Sequence, residues 1–99
     1  MAHQRPTDRE QVEAFVEWIK DPLPTIIPNW EWLSPRQKEV MKMFVCQRMY
    51  VKEIAAELHI SVQTAKNHTQ KASKKTDITL SMARDLLHSE IYRRANELV

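Results

Sequence analysis

Lys66, Lys71, Lys74 and Lys75 fall within residues 62–75, a stretch with no carboxylate and very few large apolar side chains. Interleaved with them are Gln63, Asn67 and Gln70, whose amides both donate and accept hydrogen bonds. Cations with no internal acid to neutralise them suit a polyanion, because each lysine can displace a condensed counterion from a phosphate chain. Side-chain amides beside them suit an edge that presents donors and acceptors together. The chemistry predicted here is recognition.

Catalysis finds little support. The chain has no glycine, so it has no glycine-rich phosphate loop, and it holds neither a Ser–His–acid set nor a converging pair of carboxylates. His3, His59, His68 and His88 have no ligand spacing with one another or with Cys46, so neither a metal nor another cofactor is expected. Cys46 is single and cannot form an internal disulfide, which fits a reducing compartment. Its position reads as the inward side of a helix, a small buried hydrophobe.

Ninety-nine residues, 42% hydrophobic and 28% charged, make one small folded domain. No apolar run approaches the ~18–20 residues of a membrane span, and the N-terminus lacks the order of a secretory signal. A cytoplasmic, nucleoid-associated protein is the expectation. The net charge of +2 hides an asymmetry: residues 1–33 hold three Lys/Arg against six Asp/Glu, and residues 34–99 hold twelve against seven. Only the second part is suited to a polyanion.

The elements that must position these residues are all helical. Thr7 and Glu10 form a capping box for a first helix, with Val12, Phe15, Val16 and Ile19 on one face. Pro22, Pro24 and Pro28 stop it and predict an extended connector. Ile26, Ile27, Trp30 and Trp32 make that connector apolar enough to pack on the rest. A second capping box, Ser34 with Gln37 around Pro35, opens a helix whose inward face is Val40, Met41, Phe44 and Val45. "VKEIAAEL" is a short helix with Ile54, Ala55 and Leu58 inward. After the break "HIS", Ser61 caps a helix running to about Lys75. A last helix, capped by Thr79 or Ser81, carries the stripe Leu80, Ala83, Leu87, Ile91, Ala95 and Leu98. No segment alternates long enough for a sheet, so the fold class is an all-α bundle of five helices.

Two short helices joined by a tight turn, the second one basic, make a helix-turn-helix. Its second helix fits the major groove of duplex DNA, and its N-terminal dipole near residues 61–64 suits a phosphate. The blocks "LSPRQKEVMKMF", "KEIAAELHIS" and "TAKNHTQKASKKTDI" resemble the LuxR/GerE type of helix-turn-helix, the output domain of NarL/FixJ-type regulators, over about residues 33–87. By that resemblance Lys66, Asn67 and Gln70 face base edges, and Ser61, Gln63, Thr64, Lys71 and Lys74 contact the DNA backbone. His68 packs or faces phosphate. The last helix serves a two-fold dimer through Leu87, Ile91, Ala95 and Leu98.

The chain departs from the pattern at identifiable places. Arg48, His59 and Asp77 stand where the family usually has glycine, and Tyr50 replaces a Ser/Thr cap. Ala65, Thr69, Ala72 and Thr76 occupy inward positions where larger aliphatics are usual. Each lost aliphatic forgoes roughly 1–3 kcal/mol of burial. The apolar surplus of Phe15, Trp18, Ile27, Trp30 and Trp32 predicts that residues 1–32, a helix and a Pro/Trp-rich arm, fold back onto a helix-turn-helix domain at 33–99.

The functional expectation is a bacterial or bacteriophage transcription regulator that binds double-stranded DNA as a homodimer. Sigma-factor region four shares the "KEIA", "L", "IS" and "T" skeleton and gives a second expectation, an RNA polymerase-associated factor. A third is a module that binds a regulatory protein and has abandoned DNA.

Overall fold

The computed structural model describes residues 8–98. Among them the chain is all-helical: α1 (Asp8–Ile19), α2 (Leu23–Ile26), a 3-10 turn (Trp30–Trp32), α3 (Pro35–Val45), α4 (Val51–Leu58), α5 (Val62–Thr76) and α6 (Leu80–Asn96). The Thr7 cap lies outside the described residues.

The proline-rich connector is not extended. Pro22 sits at the N-cap of α2 and Pro24 in its first turn, where a missing N–H costs nothing. The Thr25 hydroxyl accepts from the Trp18 indole N–H at 2.8 Å and donates to the Pro22 carbonyl at 2.7 Å, tying α1 to the arm. Trp30 and Leu33, three apart on the 3-10 turn, eclipse one another and are both buried. Trp32 must then point elsewhere. It is 67% exposed, so its expected packing does not occur.

Leu23, Ile27, Trp30 and Leu33 join Met41 and Val45 of α3, Ala72 of α5, and Ala83 and Leu87 of α6 in the main core cluster. Val40, Met43 and Ile54 make a second cluster between α3 and α4. α3 is therefore covered on two sides. Residues 22–33 thus supply the bulk that α5 lacks. The buried threonines of α5 meet their own polar demand: Thr69 Oγ1 donates to Lys66 O at 2.7 Å and Thr76 Oγ1 to Ala72 O at 2.8 Å.

α1 behaves differently from the arm. It has no buried residue, and Val12 and Val16 of its expected inward face are exposed. Its main helical neighbour is α6, which covers one edge: Phe15 shares a cleft with Arg94 and Leu98, and the Arg94 guanidinium lies 4.1 Å from the Trp18 ring centre. Arg94 and Arg93 both pair with Glu90, and the Arg93 bond holds the Glu90 carboxyl below its ordinary value.

Two further expectations change. Cys46 is exposed rather than buried, because it follows the last residue of α3 and stands past that helix's apolar stripe. Partial desolvation, then the Asp21 carboxylate, push its thiol up. In α6, Leu87 is 8% exposed and Ile91 packs on the same cluster, so the folded-back arm already occupies the start of the expected dimer stripe. Leu98 is half-buried in the α1–α6 cleft and Ala95 is exposed.

The backbone bends where glycine is missing. Arg48, His59 and Asp77 all adopt left-handed conformations, with φ of 55°, 56° and 60°, and Asn29 joins them at 57°. His59 ends α4 in a helix-closing pattern in which the Ile60 N–H reaches Ala55 O at 3.0 Å. Each non-glycine residue in this region carries a steric cost of roughly 1–2 kcal/mol. Arg48→Gly is accordingly expected to raise stability by about 0.5–1 kcal/mol, net of the added freedom of the unfolded chain. A urea midpoint unchanged or lowered by the substitution would contradict this account.

Candidate nucleic-acid interface

The helix-turn-helix consists of α4, the turn at His59 and Ile60, and α5. Glu53 stabilises the start of α4 by accepting the Tyr50 N–H at 2.8 Å, which replaces half of the missing cap. Ser61 caps α5: its hydroxyl accepts the Thr64 N–H at 3.0 Å and donates to Thr64 Oγ1 at 2.8 Å. Inward, Ala65, Thr69, Ala72 and Thr76 are buried. That alternation of four- and three-residue steps fixes which side chains face out.

Gln63, Lys66, Asn67, Gln70, Lys71 and Lys74 are all exposed on the other side of α5, Ser61 is exposed at its start, and Thr64 is half-buried. All three base-edge candidates and four of the five backbone candidates therefore reach solvent. Lys66, Lys71 and Lys74 form no ion pair among the described residues, although the chain forms several elsewhere, as between Arg36 and Glu39 and between Lys42 and Asp21. His68 is half-buried. Gln63 Nε2 donates to Asn67 Oδ1 at 3.1 Å, a pairing one helical turn long.

Lys75 has another task. Its ammonium donates to Gln37 Oε1 at 2.9 Å, the same oxygen that accepts the Ser34 N–H in the capping box of α3. The Lys75 carbonyl in turn accepts from Asn29 Nδ2 at 3.2 Å. The end of α5 is thus fastened to the start of α3 and to the arm. Asn29 was not among the expected contributors; its signal was its residue type, since asparagine tolerates the left-handed region beside proline. Arg84 makes a corresponding tie, donating to the Phe44 carbonyl at 3.0 Å while its guanidinium lies over the Phe44 ring at 3.8 Å. The Lys75 contacts fasten the end of α5 to the bundle, and the Arg84 contacts join α6 to α3.

No helix among the described residues is long and apolar enough to cross a membrane, and no group of three His, Cys, Asp or Glu there could hold a metal ion. Residues 31–76 match the family model for sigma-70, region 4. That span runs from the 3-10 turn to the end of α5 and leaves α1, α2 and α6 outside. No curated protein and no solved structure matches the chain. The chain carries a helix-turn-helix that is similar over residues 31–76 to sigma-70 region 4, a DNA-binding family, rather than specifically to the LuxR/GerE type.

Proposed function

We propose that this protein is a transcription factor that binds double-stranded DNA by laying α5 in the major groove. The observation that carries the reading is the outer face of α5, where Lys66, Lys71 and Lys74 are exposed, without an acidic partner among the described residues, beside the amides of Gln63, Asn67 and Gln70. An α-helix fits a groove ~12 Å wide, and lysines on its flanks meet the phosphates on either side. Lys66, Asn67 and Gln70 take the base edges; Ser61, Thr64, Lys71 and Lys74 take the backbone.

The match to sigma-70 region 4 supports a more specific form of the same function, a factor that works in company with RNA polymerase on promoter DNA. The place of Leu87 and Ile91 in the chain's own core argues for one recognition helix per binding event instead of a two-fold pair through that stripe.

Selection from a random duplex pool at about 0.15 M salt, near physiological ionic strength, tests the reading. Enrichment of one ungapped motif is expected, together with RNA polymerase in material purified through a tag on the protein. An inverted repeat would mean that two copies bind. A folded protein that enriches no sequence would move the function to a protein-binding module.

A further inference from the structure

The Gln63–Asn67 hydrogen bond adds a role that exposure alone does not give. An asparagine amide pairs with adenine by accepting from N6–H and donating to N7. An unheld terminal amide is nearly two-fold about its last torsion, so oxygen and nitrogen exchange places easily and the pattern is blurred. In α5 the Gln63 amide N–H occupies one lone pair of Asn67 Oδ1. Oδ1 keeps a second lone pair and Nδ2 keeps both hydrogens, so the adenine pattern is still available.

We propose that Gln63 is a positioning residue for base recognition: it holds the Asn67 amide in one orientation, so that the two together select adenine at a single base-pair position. The inference rests on α5 reading duplex DNA, and it moves Gln63 from the backbone-contact group to the base-reading group. A phosphate contact from Gln63 has a different signature, because it weakens all sequences equally.

The test is random-pool selection with the full chain, its Gln63→Ala and Asn67→Ala variants, and the double variant. Asn67→Ala is expected to lower the preference for adenine at one position by roughly ten- to hundredfold. Gln63→Ala lowers the preference at that same position by a smaller factor, and in the double variant it adds no further loss there. The inference is overturned if Gln63→Ala leaves that preference intact, whether or not overall affinity falls, or if the two substitutions act at different positions or additively. Failure of the unaltered protein to enrich any sequence overturns the duplex reading and this inference with it, which separates the two cases.

Discussion

Replacing Trp30 with alanine is expected to remove about 3–5 kcal/mol of folding stability, the usual cost of truncating a buried aromatic. Trp30 is 5% exposed and shares its cluster with residues of α3, α5 and α6. α5 presents only Ala65, Thr69, Ala72 and Thr76 inward, so no large neighbour on that helix can relax into the space. The loss approaches the whole stability of a small domain, about 5–15 kcal/mol. In thermal unfolding it should lower the midpoint by more than about 10 °C. Trp32→Ala provides the control, because the same residue type two positions on is exposed and should change stability by no more than about 0.5 kcal/mol. Removing residues 1–30 deletes Leu23, Ile27 and Trp30 together and is expected to leave no cooperative transition. Equal midpoints for the two tryptophan variants, or an unchanged midpoint for the truncation, would refute the integral arm.

Sequence legibility followed the range of the interactions. Ser34 with Gln37, Ser61 and Thr79 act through atoms a few residues away, and all three cap their helices as their types predict. Arg48, His59 and Asp77 stand where the resemblance puts glycine and adopt left-handed conformations, because a missing glycine leaves the chain's geometric need unchanged. Positions decided by partners distant in sequence were harder. Val12 and Val16 obey helical periodicity, yet periodicity cannot say that the packing of α1 on α6 leaves both of them exposed. Trp32 follows the apolar pattern of its neighbours, but the 3-10 turn gives the core to Trp30 and Leu33. Met43 was not expected inside because the second cluster, against Ile54, depends on how α4 folds over α3. In α5, residue type gave the exposed face, whereas the Gln63–Asn67 and Lys75–Gln37 pairings needed the structure.

Neutralising Lys66, Lys71 and Lys74 together should have the largest effect on binding. At the interface proposed here each ammonium meets the duplex without having to leave an acidic partner, so the full gain from counterion release is available. Each phosphate neutralised contributes about 0.9 to the slope of log K against log salt. The triple alanine variant should therefore show a slope shallower by about 1.8 from Lys71 and Lys74 and, near 0.15 M salt, an affinity lower by about thirtyfold for any sequence, with a further loss of preference at the base pair that Lys66 reads. Stability should barely change, since all three side chains are exposed and form no ion pair among the described residues. Lys75→Ala should do the reverse. Its ammonium is held by Gln37 Oε1, so the substitution loosens the join between α5 and α3, lowers the unfolding midpoint and leaves the salt slope nearly unchanged. Four lysines of one helix thus divide into two on the phosphates, one at a base edge and one that responds to denaturant. If Lys75→Ala changed the slope as much as Lys71→Ala, that division would be wrong. An unaltered slope in the triple variant would mean that the outer face of α5 does not lie against phosphates, and that a protein surface is its partner instead.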